Sequence, residues 1–293
     1  MYEDLFIAGE IHKKVSKLAF GELKQGLSFV NFSEFVEKKI LDLGGGFGFP
    51  VCISVNGVAA HDVARFNDDR IFNKDDLVKI DFGVHVNKWM TDAAFSKYLG
   101  TDVKIKNLVT ASSKALSACE EVLKPGVEIG VLGKAMGEVI TGMDFNPIKN
   151  LTGHGVDKGR VHTNPNIPCY DTGSKEKIPV NKIMAIEPYA TLGRGLAVDD
   201  PRSEIFRLAN DKKNIRSFGA RKMLDWIKKE RGFMPFCTRW IPNYSKGGEF
   251  YLNTLIQQGI VKAYPILNEI DKGLTSQAEH TYVFYEKEVV KVT

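Results

Sequence analysis

The sequence predicts an α/β (α+β) chain of two similar halves facing each other across a cleft, and three observations carry that expectation. Residues 77 to 98 read as a β-hairpin holding two acids, Asp81 and Asp92. Two long helices each end in a Lys-x-Gly turn, at Lys24-Gln25-Gly26 and at Lys124-Pro125-Gly126, and each is followed by a shorter helix and by strands holding acids. Two further acids, Glu187 and Glu279, stand in apolar, strand-like runs late in the chain. At 293 residues and 43% hydrophobic content, the chain has ample apolar material for a sizeable core.

Composition excludes several classes. A formal charge of +4 is too mild to mark a nucleic-acid binder from the average alone. No apolar run reaches the ~18 residues of a membrane span, and Met1-Tyr2-Glu3-Asp4 lacks the basic-then-apolar order of a secretion signal, so a cytoplasmic protein is expected. Cys52, Cys119, Cys169 and Cys237 form no Cys-x-x-Cys pair and are expected to be buried or free thiols rather than metal ligands.

In chain order, Leu5, Ala8, Ile11, Val15, Leu18 and Ala19 recur with helical spacing between Tyr2 and Leu23. A second helix is expected from Asn31 or Ser33, because Asn31 followed by Glu34 has the shape of a capping box. Asp42-Leu-Gly-Gly-Gly-Phe-Gly then resembles the glycine loop of an S-adenosylmethionine-dependent methyltransferase. That fingerprint needs a strand before it and a helix after it, whereas here a helix pattern precedes and a β-type run, 49 to 56, follows. The glycines are therefore read as a flexible loop delivering Phe49 and the next strand into a site. His61, just beyond, could by itself be a core histidine.

The hairpin is the most informative stretch. Leu77 to Val86 is rich in β-branched residues, Asn87-Lys88 suits a tight turn, and Trp89 to Tyr98 runs back. Asp81 and Asp92 then fall directly opposite or one diagonal step apart, with both side chains on one face. Two anions that close need a shared proton or cations between them, and hard or borderline divalent metals take carboxylate oxygens readily.

After the hairpin, Asp102 to Leu123 reads as a helix, with a shorter one near 130 to 141. His154 and His162 fall on a glycine-rich segment with no regular pattern, read as a loop, where histidines are more often functional than on apolar faces. Glu187 inside an apolar strand needs a partner, and Glu279 repeats the device.

With these residues assembled, the chain resembles, nearly end to end, a type II methionine aminopeptidase of the short form, without a charged N-terminal extension. The family's metal ligands are two Asp in a DFGxHxNGxxxDxA-like hairpin, a His in a Gly-His loop, a Glu in an Ile-Glu strand and a Glu before His-Thr in a final strand. The matching residues are Asp81, Asp92, His154, Glu187 and Glu279. The resemblance implies a pseudo-symmetric pita-bread fold and two divalent metal ions (Co, Mn, Fe or Zn). It makes His61 and His162 the substrate-side histidines, with Glu187 shuttling a proton while remaining a ligand. Phe49, Val161 and Tyr264 match positions that wall the methionine pocket. Type II members carry a helical insertion between the last two ligands. Residues 201 to 262 would supply it, with helices at 216 to 230 and 248 to 258, leaving 1 to 200 and 263 to 293 as the catalytic domain.

From Arg202 to Lys246, Lys and Arg outnumber Asp and Glu by 12 to 4, so this insertion carries the chain's positive excess. A solvated helical face accounts for that, as would docking to ribosomal RNA by an enzyme acting on nascent polypeptide N-termini. No membrane partner is expected, and a monomer is. The chain departs from the family pattern at Lys88, where Gly is usual, at Thr163-Asn164 in place of Ala-Gly, and at Ala278 in place of Phe. Those changes bear on substrate fit more than on metal binding. Two rivals share the fold. A prolidase or Xaa-Pro aminopeptidase normally carries an extra N-terminal domain that this chain is too short to include, and a non-catalytic RNA- or protein-binding scaffold would be expected to have lost ligands.

Overall fold

The computed structural model describes residues 2–210 and 215–293. Its architecture is two copies of one plan. Helices α1 (Glu3–Glu22) and α2 (Phe29–Asp42) match α3 (Val103–Val122) and α4 (Ile129–Gly142) in length, twenty and fourteen residues in each pair. Both long helices stop at a glycine turn where Gly26 and Gly126 take positive φ, 84° and 69°, which a side chain would resist. The cap of α2 differs from the sequence expectation. Ser28 is the N-cap, its hydroxyl accepting from the Asn31 amide at 3.1 Å, so Asn31 sits within the first turn instead of starting it.

Strand β1 (Gly46–Val55) begins within the glycine run and pairs with β3 (Leu77–Val86), which pairs in turn with β4 (Trp89–Tyr98). Two of the four glycines, Gly46 and Gly48, are thus strand, while Gly44 and Gly45 precede it, and the expectation of a flexible loop is corrected for the strand part: a Cβ on Gly48 would be crowded at 3.0 Å against the Gly83 backbone. Helices α1 and α2 cover this sheet through Ile11, Val15, Phe32, Val36 and Ile40, packed on Ile53, Ile80 and Phe82. Burying each such side chain contributes roughly 1.5–3 kcal/mol.

The second half is a five-stranded sheet of β6 (Thr152–Asp157), β7 (Arg160–Pro168), β8 (Lys182–Ile186), β16 (His280–Phe284) and β17 (Val289–Lys291), in the order β17-β16-β8-β6-β7. Leu116, Leu132, Met136 and Ile140 of α3 and α4 pack on Met184, Ile186 and Tyr282. His154 and His162 therefore stand on a paired hairpin, not on the expected loop. The strand pattern is hidden because its glycines serve close packing: a Cβ on Gly153 would meet the Ala185 carbonyl of the neighbouring strand. Glu187 and Glu279 are not inside strands either. Glu187 precedes Pro188 between β8 and β9 (Tyr189–Thr191), and Glu279 lies between β15 (Thr275–Gln277) and β16. The two halves meet there, since the backbones of Ala94 and Glu279 exchange hydrogen bonds at 3.3 and 3.1 Å.

Between Pro201 and Lys262 the chain forms β11 (Ile205–Leu208), α5 (Phe218–Trp226) and α6 (Gly248–Gln257), followed by β13 (Val261–Tyr264). Helix α5 is shorter than expected, because its last turn widens into a π-helical turn, Ile227–Arg231. This segment has its own apolar cluster around Phe206, Leu224, Ile227, Phe236 and Leu255. It is clasped to the rest by Glu37, which accepts from Arg239 at 2.5 Å and from the Trp240 indole at 3.0 Å. The four cysteines are free and buried, and among the described residues no helix is long and apolar enough to cross a membrane.

Candidate functional site

The hairpin turn sets the first two acids. Asn87 and Lys88 both take positive φ, 49° and 69°, the conformation of a type I′ turn. Lys88 holds without a glycine's freedom what the family pattern gives to Gly. Val86 then pairs with Trp89, Gly83 with Asp92 and Asp81 with Ala94. Asp81 and Asp92 are one diagonal step apart on one face. Thr281 pins Asp92 at both ends, accepting from its amide at 2.8 Å and donating to its carbonyl at 2.6 Å.

The sheet of the second half adds the rest. A register shift follows His154 on β6, and its Nδ1 lies 3.1 Å from the Gly155 carbonyl. A carbonyl only accepts, so Nδ1 carries the proton and the lone pair of Nε2 points inward. Nε2 stands 3.5 Å from both Asp92 Oδ2 and Glu187 Oε1. Ligand atoms of Asp92, His154 and Glu279 all lie within 4.8 Å of one another.

The donors present do not satisfy these oxygens. Gln277 Nε2 is shared by Asp81, Glu187 and Glu279 at 3.2, 3.3 and 3.2 Å, yet an amide has two N–H bonds to give. Asp81 Oδ1, Asp92 Oδ1 and Glu279 Oε1 are buried with no hydrogen-bond partner. Burial pushes Asp81 up to about 6. Burial first, and then the neighbouring carboxylates, hold Asp92, Glu187 and Glu279 well above the usual range. Burial also lowers His154 to about 4, keeping it neutral, the form in which an imidazole can bind a metal. Four crowded carboxylates with orphaned oxygens beside a neutral imidazole fit hard or borderline divalent cations.

A cavity of about 310 Å³ opens over this cage, and all ten residues singled out in the sequence line it: Phe49, His61, Asp81, Asp92, His154, Val161, His162, Glu187, Tyr264 and Glu279. His61 is held at a positive φ of 67°, a strained backbone of the kind found at functional sites. Its Nδ1 meets the Pro265 carbonyl at 3.2 Å, so it too carries its proton there and turns the lone pair of Nε2 outward. The His162 ring lies 4.3 Å from His154 and 5.8 Å from Tyr264 by centroid, open to the cleft and walled by protein. Burial lowers the pKa of His61 and, with neighbouring His154, that of His162.

Sequence reasoning missed Gln277, Tyr189, whose side chain bonds Glu187, and Thr281. Gln277 had a usable signal, two positions before Glu279 in a strand-like run and so on its face. Cys52 and Ile205, also in the wall, carried none.

The sequence matches Metallopeptidase family M24 over residues 3–220. It is 37% identical to a methionine aminopeptidase of Methanocaldococcus jannaschii, covering 98% of this chain and 97% of that one. It is 36% identical to a methionine aminopeptidase of Thermococcus onnurineus, over 99% and 98%. Among solved structures, a thermophilic Arx1 superposes with a TM-score of 0.85 at 15% identity, covering 99% of this chain and 89% of that one. The methionine aminopeptidase of Thermotoga maritima gives 0.72 at 20% identity, over 99% and 95%.

Proposed function

The chain belongs to metallopeptidase family M24 and has its pita-bread fold, and from that membership and the buried cage we infer that it is a methionine aminopeptidase, hydrolysing the amide bond that follows an N-terminal methionine. The observation that carries this is the set of partnerless buried oxygens of Asp81, Asp92 and Glu279 in the cage that His154 Nε2 enters between Asp92 and Glu187. Asp81, Asp92, His154, Glu187 and Glu279 would hold two divalent cations, Co, Mn, Fe or Zn. When bound, such cations supply Lewis acidity that lowers the pKa of water toward neutrality and neutralises developing negative charge.

The side chains do the rest. Glu187 takes the proton of the attacking water and returns it to the leaving amine. His162, neutral and facing the cleft, donates to the oxyanion of the tetrahedral intermediate. His61, with Nδ1–H committed to Pro265, offers Nε2 as an acceptor for the scissile amide N–H. Phe49, Val161 and Tyr264, joined by Cys52 and Ile205, give apolar walls that suit a thioether.

Nascent polypeptide N-termini with a small second residue are the inferred substrates, met by a monomer in the cytoplasm. Residues 201–262 would form an inserted subdomain beside a catalytic domain of 1–200 and 263–293. Its charge supports docking on ribosomal RNA as well as a merely solvated face, and Lys212 and Lys213 of that count lie outside the described residues. Salt-sensitive co-sedimentation with ribosomes distinguishes the two.

The deciding assay compares chelated and metal-restored protein on Met-Gly- and Met-Leu-type peptides. Release of methionine only after metal is restored, faster from Met-Gly, is expected. No release with any of Mn, Co, Fe or Zn would remove the enzymatic reading in favour of a binding scaffold, and preference for Xaa-Pro dipeptides would favour a prolidase.

A further inference from the structure

Beside the cage lies a second recess, of about 520 Å³, that shares Val161, His162, Pro235 and Tyr264 with the first cavity. Two arginines, Arg160 and Arg207, and Phe233 belong to it alone. Both arginines are reached from the cage by the same step. On β7, Arg160 precedes His162 by two residues, and on β11, Arg207 follows Ile205 by two, so each leaves its strand on the face of a cage-wall residue. Two residues of strand span about 7 Å. The recess is therefore about two residues of extended peptide beyond the cage.

Its charge is not spent internally. Among the described residues neither arginine makes an ion pair, and the Arg207 guanidinium bonds the Leu208 carbonyl at a long 3.3 Å. The acid facing Arg160 across the hairpin, Asp157, makes no ion pair with it and accepts from the Lys158 amide at 2.7 Å. Aromatic rings flank the guanidinium groups, Arg160 lying 6.0 Å from the Phe233 centroid and Arg207 6.0 Å from that of Tyr264. Such forks match a carboxylate, and a cleft wall focuses their field on whatever chain passes.

We infer that Arg160 and Arg207 form a carboxylate-reading subsite for the peptide beyond the cleaved bond, favouring substrates with Asp or Glu two or three residues after the released methionine. The inference rests on the aminopeptidase reading, because it needs the substrate amine anchored in the cage.

The test uses metal-restored enzyme on Met-Gly-Xaa-Gly-Ala-Gly and Met-Gly-Ala-Xaa-Ala-Gly, with Glu, Gln or Lys at Xaa. In at least one of the two series, kcat/KM for Glu should exceed that for Lys by about threefold to tenfold, mostly through KM and less so at high salt. Arg160→Gln, an exposed change that leaves the fold alone, and Arg207→Gln should each shrink the ratio. Arg160→Lys should keep part of it, and Lys222→Gln, on α5 and lining neither recess, should keep all of it. Equal rates for Glu, Gln and Lys in both series, or a ratio indifferent to both arginine changes, overturns the subsite while the aminopeptidase reading stands. No methionine release from the Gln peptides overturns both.

Discussion

Gln277 Nε2 lies 3.2 Å from Glu279 Oε2, two positions further along the chain, and it reaches Asp81 and Glu187 as well. One neutral amide thus links three of the four acids. Replacing Gln277 by Leu should free the carboxylates to splay and weaken divalent-metal affinity by roughly 10–100-fold, as loss of outer-sphere partners does. Calorimetric titration with Mn²⁺ or Co²⁺ checks this. Unchanged affinity would mean that the carboxylates are positioned by the backbone alone.

The crowding of acids has a sign in pH. Asp81 is raised to about 6, and Asp92, Glu187 and Glu279 are raised further by burial and by one another. A carboxyl raised in the folded state binds more protons folded than unfolded. Its contribution is fully present below the unfolded pKa near 4 and is lost as pH rises through the folded value. Buried histidines such as His12, lowered to about 3, tilt the other way, but they are common to the protein with and without metal. The metal-induced rise in Tm should therefore grow from pH 5 to 8, with protons released on binding. A shift that is flat or shrinks over that range contradicts the cage as described.

Much of this was legible in the sequence, and the reason differs by residue. The Asp81–Asp92 diagonal follows from local rules, a two-residue turn and strand alternation, with no tertiary information needed. The doubled helix pair shows because each copy carries its own apolar period and glycine stop. The His154–His162 hairpin stayed hidden because its strands are defined by neighbours: glycines that allow close backbone approach look like loop until β8 is beside them. The cap of α2 was misplaced by three residues because Asn31 and Ser28 offer the same chemistry, and packing chose between them. Arg231 was invisible as anything but part of a charge run.

That arginine is buried at the end of the π-helical turn. It donates from Nη2 to the carbonyls of Phe47 at 2.8 Å, Gly48 at 3.1 Å and Pro235 at 2.8 Å. It joins the 201–262 segment to β1 immediately before Phe49. Arg231→Met should leave these acceptors unpaired and cost about 3 kcal/mol of stability. Because Phe49 lines the cavity, KM for Met-Gly peptides should rise more than kcat falls. Thermal unfolding with steady-state kinetics measures both, and an intact KM in a destabilised protein would limit Arg231 to a structural clasp.

His154 and His162 lie eight positions apart on paired strands with ring centroids 4.3 Å apart, yet they should fail differently. His154 Nε2 points between Asp92 and Glu187, so His154→Ala should remove a ligand of the proposed metal site and weaken metal affinity. His162 makes no such approach to the acids and faces the cleft, so His162→Ala should leave two ions bound. If His162 donates to the oxyanion, its loss should cost about 3 kcal/mol of barrier, roughly a hundredfold in kcat, with a smaller change in KM. Metal titration and steady-state kinetics on both variants separate the roles. Loss of metal by His162→Ala as severe as by His154→Ala would move His162 into the ligand set, and full kcat would leave it no part in the chemistry.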